Sequence, residues 1–273
     1  MKLSIQFMGA AQNVTGSRYL VRANGKNILV DCGFYQERDF RGRTWEPFAV
    51  PPESIDAVLL THAHLDHCGL LPKLVREGFN GKIYCTAATA DIAEIILMDS
   101  AKLQEEDAEF KKRRHKKEGR KGRYPEVPLY THDDAQSALP LLEPIRYEEP
   151  VMVNEDIEAV FHDCGHVHGS SSIHLRIGQN GNSNTILFSG DVGRWNRPII
   201  QDPILTEEAD YVVVESTYGD RLHPDHDGIP QALAEVVNAT WEAKGNLLIP
   251  SFALERTQEV LYYMNDLLRK DRI

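Results

Sequence analysis

The sequence predicts an α/β fold whose strands end in residues that can bind metal ions. The first observation is the apolar run 57–60, which is typical of a buried strand and is followed at once by several histidines. The second is that three other apolar runs each end in a carboxylate. The third is a helix–strand–helix pattern over 228–270. Because sites in open α/β folds collect at the carboxyl ends of strands, we expect these strand ends to meet.

The individual elements follow from apolar runs and from the residues that interrupt them. Asn24-Gly25 between two apolar runs predicts a hairpin turn, and the prolines within 34–54 predict a loop. A long helix is expected from Thr89 onward, becoming polar beyond Leu103. The predicted strands cover 3–8, 17–23, 27–30, 55–60, 82–85, 150–153, 157–162, 172–178, 185–189, 211–214 and 246–250. The other predicted helices cover 69–77, 133–142, 228–243 and 255–270.

The composition is that of an ordinary globular protein, with 42% hydrophobic and 26% charged residues. A net charge of -11 argues against a general nucleic-acid coat protein. No apolar run approaches the roughly 18 residues that a membrane-spanning helix needs, so no membrane association is expected. The amino terminus has no signal-peptide pattern and the 4 cysteines form no C-x-x-C pair, which favours a reduced, cytoplasmic location.

The segment after the 57–60 run places three imidazoles and a carboxylate within six residues. Imidazole nitrogen and carboxylate oxygen are donors that suit zinc. From an extended segment, His62 and His64 can approach one ion, while Asp66 and His67 can approach a second ion beside it. The alternative is a histidine-rich surface loop, but 11 histidines in 273 residues make such clustering by chance uncommon. The sequence therefore predicts a metal site here.

Other strand ends can complete a site for two ions. His166 lies in a glycine-rich connection and is predicted to join the first ion, and Asp191 to bridge the two. Asp31 either caps a turn or orients a ligand or the metal-bound water. Glu215 ends the strand that follows. Three further histidines have no signal that places them at the site: His162, His168 and His174.

The segment 111–123 is basic although the chain as a whole is acidic, with nine Lys or Arg residues against one Glu. One interpretation is an electrostatic surface for a polyanion. The other is a solvated helix end or a loop. The sequence does not decide between them.

Several motifs resemble a known family. The H-x-H-x-D-H pattern at 62–67 resembles the signature of the metallo-β-lactamase fold. The phrases at 163–166, 189–191 and 215–219 resemble its β-CASP branch, which contains RNA-processing nucleases such as ribonuclease J and the endonuclease of messenger-RNA 3′-end cleavage. The segment 250–258 is similar to part of the β-CASP domain of those proteins.

The resemblance implies a four-layer αββα sandwich that continues into a β-CASP domain, with the boundary placed between 1–206 and 207–273. It implies hydrolysis of RNA, most readily single-stranded RNA, by a hydroxide activated by two zinc ions, leaving a 5′-phosphate. The implied metal ligands are His62, His64, Asp66, His67, His166 and Asp191. The implied catalytic residues are Asp31, Asp66 and Glu215, with Glu215 supporting departure of the leaving group.

The family pattern also continues beyond Ile273, where it would supply another zinc-ligand histidine and a histidine that protonates the leaving oxygen. His223 and His226 lie too close to Glu215 to take those roles. We therefore expect a fragment, a truncated frame or half of a split protein, with a weak second metal site. A homodimer or a carboxyl-terminal partner segment is the expected means of completing it.

Two other functions remain open from the sequence. One is a small-substrate hydrolase of the glyoxalase-type thioesterase class, which shares H-x-H-x-D-H but needs neither the Glu215 motif nor the 246–258 segment. The other is a non-catalytic nucleic-acid-binding or scaffold fragment. DNA as the substrate and the choice between endonuclease and 5′-exonuclease action also stay open.

Overall fold

The computed structural model describes residues 3–122, 125–179, 182–206, 208–222 and 228–273. His223, His226 and Arg123, singled out in the sequence, lie outside the described residues. The described chain forms two β-sheets that pack against each other through an apolar interface. A layer of helices covers the other face of the first sheet. The predicted α/β class with stacked sheets is confirmed.

The described strands form two sheets. The first sheet contains β1 Ser4–Phe7, β2 Tyr19–Ala23, β3 Lys26–Val30, β4 Ala57–Leu59, β5 Lys82–Thr86 and β6 Leu142–Ile145, which lie side by side in sequence order. The second contains β7 Val151–Asn154, β8 Ile157–Asp163, β9 Ser171–Gln179, β10 Asn182–Phe188 and β11 Tyr211–Val213, in the order β11-β10-β9-β8-β7. Neighbours from β3 to β6 are parallel, so their carboxyl ends lie along one edge.

Apolar burial holds these layers together. Ile28 of the first sheet shares one buried cluster with Phe161 and Ile173 of the second, so the two sheets pack face to face. On the other face of the first sheet, Val58 packs in a second cluster with helical residues such as Leu97. The helices are α1 Leu65–Cys68, α2 Leu71–Arg76, α3 Ala87–Glu118, α4 His132–Ala138, α5 Ile229–Glu242 and α6 Arg256–Arg269.

Three predicted elements differ in the structure, and prolines explain two of them. The helix expected over 69–77 begins earlier and is divided into α1 and α2, because Pro72 has no backbone N–H to donate and is tolerated only in the first turn of a helix, here that of α2. The helix expected over 133–142 ends at Ala138 because Pro140 follows. Residues 142–145, which the helix prediction partly covered, form the edge strand β6 instead.

The third difference is the strand expected over 246–250, which is wrong. This segment has no regular secondary structure and Leu248 is 90% exposed. A strand needs a neighbouring backbone to satisfy its hydrogen-bonding groups, and no described strand pairs with this segment. The segment is apolar, as the sequence indicates, but without a neighbouring strand among the described residues it does not form a β-strand.

The described helices include none that combines the length and the apolar character needed to cross a bilayer. The charge of the long helix α3 changes along its length, with acidic residues before residue 110 and the basic run after it. Thr86 caps its amino terminus, and Gly119 ends it in a left-handed conformation. All four cysteines are buried and unpaired.

Candidate metal centre

The histidine cluster lies where β4 ends between the two sheets. After Leu59 the chain stays extended through His64, and the Thr61 carbonyl accepts a hydrogen bond from the Ser171 backbone of the second sheet. His64 is then the residue before α1, so Asp66 and His67 lie in the first helical turn. This change from strand to helix turns the four side chains toward one place.

Three imidazoles converge at this point, and His62 is fully buried. His62 Nε2 lies 3.0 Å from His64 Nδ1, and His166 Nε2 lies 3.2 Å from the same nitrogen. With an Asp191 oxygen, the candidate ligand atoms all lie within 4.8 Å of one another. Such a spacing matches four donors around a single ion.

Asp191 extends the site toward a second group of residues. One carboxylate oxygen, Oδ2, lies 3.8 Å from His62 Nε2 and 3.4 Å from His166 Nε2. The other oxygen, Oδ1, lies 3.3 Å from His67 Nε2. The carboxylate therefore faces both halves of the cluster, as a bridging ligand requires.

Glycines allow the loops that carry His166 and Asp191 to touch. A Cβ atom on Gly193 would lie 1.5 Å from the Gly165 carbonyl oxygen, so only glycine fits at that crossing. Gly190 has a φ of 54° and packs against Thr61 and Ser171. These contacts fix Asp191 relative to the imidazoles.

The other half of the site is a network around Asp31. Its carboxylate accepts hydrogen bonds from the Thr61 backbone N–H at 2.8 Å and from the Thr61 hydroxyl, and lies 2.7 Å from His67 Nδ1. Asp31 is 1% exposed and has a φ of 57°, a costly conformation for a non-glycine residue. Asp31 therefore contacts both the Thr61 backbone after β4 and the ring of His67.

The two halves differ in their protonation. Burial lowers the pKa of His64 and of His166 to about 4, and it lowers the pKa of His62 well below its usual value. Burial also acts to lower the pKa of His67, but the carboxylates of Asp31 and Asp191 outweigh it and raise that pKa well above its usual value. The first three imidazoles are thus neutral at pH 7, as metal ligands must be, while His67 is held as a cation when only protein surrounds it.

Asp66 and Glu215 line a cavity of about 360 Å³ with His67 and Asp191. Burial raises the pKa of Asp66. Glu215 accepts a hydrogen bond of 2.7 Å from the Val192 backbone N–H, so it holds the loop that carries Asp191. The structure thus brings all the sequence-predicted site residues to one region.

Some residues of the site were missed by sequence reasoning. Ser17 Oγ lies 3.3 Å from His67 Nε2, and the Thr61 hydroxyl lies 3.0 Å from His62 Nδ1. Thr61 could have been found from its place beside His62. Ser17 and the cavity-lining loop before it come from the β1–β2 connection, and the sequence shows no signal that brings that loop to His67.

The other histidines and the basic run lie in different surroundings. His162 lies 2.9 Å from Glu148, with its ring 6.3 Å from that of His174, and His168 is exposed. Most of the described basic run is the carboxyl-terminal part of α3. Several of its charges are paired within that helix or just beyond it, as in Lys111 with Asp107 and Arg114 with Glu118.

A family model described as the metallo-β-lactamase superfamily matches residues 13–251. The chain belongs to the metallo-β-lactamase superfamily. Of the H-x-H-x-D-H residues, the structure brings His62, His64 and His67 close to Asp191.

Three curated proteins are similar to this chain over nearly its whole length. Ribonuclease TTHA0252 of Thermus thermophilus is 38% identical over 256 residues, covering 94% of this chain and 53% of that protein. Transcription termination factor FttA of Methanocaldococcus jannaschii is 31% identical over 271 residues, covering 97% of this chain and 39% of that protein. An RNase J-like protein of the same organism is 30% identical over 272 residues, covering 98% of this chain and 56% of that protein.

The chain thus spans roughly half the length of these relatives, or less. Two of them are named as ribonucleases or as ribonuclease-like, which confirms the resemblance to the ribonuclease branch of the superfamily. A function for this chain can be proposed from three observations: the metallo-β-lactamase superfamily match, the candidate ligand cluster and these relatives.

Proposed function

We propose that this chain carries the metal centre of a zinc-dependent ribonuclease that hydrolyses phosphodiester bonds of RNA. The observation that carries the proposal is Asp191, whose two oxygens face different imidazoles at 3.4 Å and 3.3 Å. A carboxylate so placed could serve both ions of a two-metal site, which is an arrangement used for phosphodiester hydrolysis. The named ribonucleases among the relatives support RNA as the substrate.

The donor set supports zinc as the metal. His62, His64 and His166 offer neutral imidazole nitrogens, and Asp191 adds a carboxylate oxygen, a combination that suits zinc in tetrahedral coordination. His67, Asp66 and the second oxygen of Asp191 would hold the second ion more weakly. When bound, the zinc pair supplies a nucleophile at neutral pH and neutralises charge on the phosphoryl oxygens.

The protein residues around the ligands orient and separate them. Asp31 fixes the ring of His67 through Nδ1, which leaves Nε2 directed at Asp191. Thr61 joins Asp31 to the His62 ring, so one buried network serves both halves. Glu215 holds the Val192 backbone, and hence the loop that positions Asp191, and the proposal also gives it the support of leaving-group departure.

Three further features belong to the same proposal. The chain is divided into a metallo-β-lactamase domain over 1–206 and a β-CASP segment over 207–273. A cytoplasmic location agrees with four unpaired buried cysteines. Single-stranded RNA, and either a second copy or a carboxyl-terminal segment, are the proposed partners.

The test is cleavage of a short, 5′-labelled single-stranded RNA by the chain, first stripped of metal and then reloaded with zinc. We expect turnover only after zinc is restored, with products that carry a 5′-phosphate. Asp191→Asn under the same zinc loading is the matched control and should be inactive. Cleavage that persists without metal, or that Asp191→Asn leaves intact, would contradict the proposal.

A further inference from the structure

Beside the metal centre, the described chain places a cluster of arginine and aromatic side chains that the proposed hydrolysis does not use. Its members, which we call the arginine–aromatic patch, are Arg194, Trp195, Arg197, Tyr218 and Arg256. We propose that this patch binds single-stranded RNA next to the scissile phosphodiester. The inference rests on the proposed ribonuclease function and adds a binding site for the substrate strand.

Three segments contribute to the patch, and two of them start at the site. Arg194 follows Gly193, whose backbone N–H donates to the Cys164 carbonyl oxygen at 2.8 Å in the loop that carries His166. Tyr218 follows Thr217, which lines the cavity together with Glu215. The patch therefore begins at the rim of the cavity, on the side of Asp191.

The third segment is the amino terminus of α6. The buried carboxylate of Glu259 contacts both Arg197 and Arg256, which joins this helix to the loop that follows Asp191. Arg197 is nearly buried, at 7% side-chain exposure, whereas Arg256 is 46% exposed. Glu259 thus fixes one guanidinium in the interior and leaves the other at the surface.

Three guanidiniums lie close together at this place. Burial lowers the pKa of Arg194, and the nearby guanidiniums of Arg197 and Arg256 lower it further. Glu255 and Glu259 also lie near these arginines, Asp202 bonds the Asn196 backbone in the same loop, and Arg221 beside Tyr218 has a neighbour in Asp220 at 3.7 Å. Because like charges gathered in this way repel, a phosphate group would relieve the repulsion.

The aromatic rings supply the second half of the recognition. Tyr218 and Trp195 are each 50% exposed, although large aromatic side chains are usually buried. The Arg221 guanidinium lies over the Tyr218 ring at 5.0 Å from its centroid. Exposed rings beside guanidiniums are what proteins use to bind single strands, because bases stack on the rings and phosphates pair with the cations.

The basic run on α3 is a weaker candidate for the same function. Residue 111 lies 24 positions after the start of α3, so at 1.5 Å per residue it is about 36 Å along the helix. The start of that helix is the part that contacts the site, since Thr89 Oγ1 donates to the Gly169 carbonyl oxygen at 2.7 Å. Several charges of the run are also paired with acidic residues of the same helix, as in Lys111 with Asp107 and Arg113 with Glu109.

The experiment measures binding of a short, fluorescent, unstructured RNA to the zinc-loaded chain over a range of salt concentrations, with the RNA checked for integrity after each titration. Combining Arg194→Gln with Arg256→Gln should weaken binding and reduce the slope of log affinity against log salt by about 1.4, or roughly 0.7 for each lost phosphate contact. The matched control, Lys112→Gln with Lys116→Gln, removes the same charge from exposed positions on α3 and should leave the slope unchanged.

Two further variants separate stacking and folding from charge. Tyr218→Ala should weaken binding roughly 5- to 150-fold, whereas Tyr218→Phe should retain it because the ring remains. Arg256→Lys keeps the charge and should retain the slope. If thermal melting shows that the double variant is unstable, Arg194→Gln alone replaces it in the test. This substitution leaves the Glu259 contacts in place and should still reduce the salt slope.

The outcomes divide clearly. An unchanged salt slope in the patch variants, or an equal loss in the α3 control, would overturn the proposal. A matching DNA strand should lose affinity in parallel, and a loss confined to DNA would overturn the assignment to RNA. If the chain shows no zinc-dependent cleavage but these substitutions still weaken RNA binding, the proposed hydrolysis fails and the binding site stands. If zinc-dependent cleavage is present and these substitutions leave RNA binding unchanged, the proposed hydrolysis stands and the binding site fails.

Discussion

The two sides of Asp191 are built from different groups. On the Oδ2 side, His62, His64 and His166 are neutral imidazoles from two loops, and they form a nearly complete ligand set. On the Oδ1 side, His67 is fixed by Asp31 and is held as a cation in the absence of metal. A metal on the first side meets ligands ready to bind, whereas a metal on the second side must first displace a proton.

The difference teaches that equal proximity to Asp191 does not mean equal affinity for metal. The first side is expected to fill first and hold zinc more tightly. The second side is expected to depend on the network that controls His67. Substitutions on and around Asp191 can therefore separate loss of the whole centre from loss of one side.

The largest effect is expected for Asp191→Asn, because the two oxygens of this carboxylate face candidate metal ligands on both sides. Activity per zinc-loaded chain should fall by more than the roughly hundredfold upper value typical of substitutions behind a ligand. Zinc content measured by elemental analysis should also fall on both sides. Retention of full zinc content and activity would show that Asp191 is not a bridging ligand.

A smaller effect, confined to the His67 side, is expected for Asp31→Asn. The amide cannot stabilise the cationic ring or fix its tautomer as the carboxylate does, so activity should fall by about 10- to 100-fold. Tight zinc binding on the Oδ2 side should be retained. Asp56→Asn is the control, because Asp56 bonds the Asn27 backbone and Lys26 far from the ligands, and it should leave activity unchanged.

If Asp31→Asn removed zinc from both sides equally, the two sides would have to be treated as one cooperative site. The Thr61 hydroxyl, which touches Asp31 and lies 3.0 Å from His62 Nδ1, is the route by which such coupling could pass. Thr61→Val would then reproduce the loss.

The smallest effect concerns the loop that forms the cavity rim on the His67 side. Burial acts to raise the pKa of Glu37, but hydrogen bonds from Thr15 and Asn13 outweigh it and lower the pKa to about 2. Because the folded state depresses this pKa, its stabilising contribution is complete above the ordinary value of 4.5 and is lost as the pH falls toward 2.

Thermal melting of the wild type and of Glu37→Gln between pH 7 and pH 2 tests this. The wild type should be more stable at pH 7, and the difference should shrink as the pH falls below about 4.5. A difference that stays constant across the range would mean that the Glu37 charge does not hold the loop.

Much of the Oδ2 side could be predicted from the sequence, because its ligands lie in a short motif and in glycine-rich connections. The proximity of Asp191 to both groups of imidazoles followed from its place at a strand end. The Oδ1 side was less accessible, because Ser17 reaches His67 only through the packing of the β1–β2 connection. The patch residues around Arg256 were also missed, since Glu259 on α6 joins them to the Asp191 loop across more than sixty residues of sequence.

The fold errors have a common physical origin. Apolar runs were read correctly, but their secondary structure depended on a proline or a neighbour. Pro140 ended α4 early and allowed β6 to pair with β5, and no strand among the described residues lies beside 246–250. Local patterns do not contain those contacts.

The most direct test of the account is the anomalous scattering of zinc-loaded crystals measured at the zinc absorption edge. The account predicts a strong peak among His62, His64, His166 and Asp191, with a weaker peak about 3.5–4 Å away between Asp191, Asp66 and His67. Zinc bound elsewhere, or a single peak that does not contact Asp191, would contradict it.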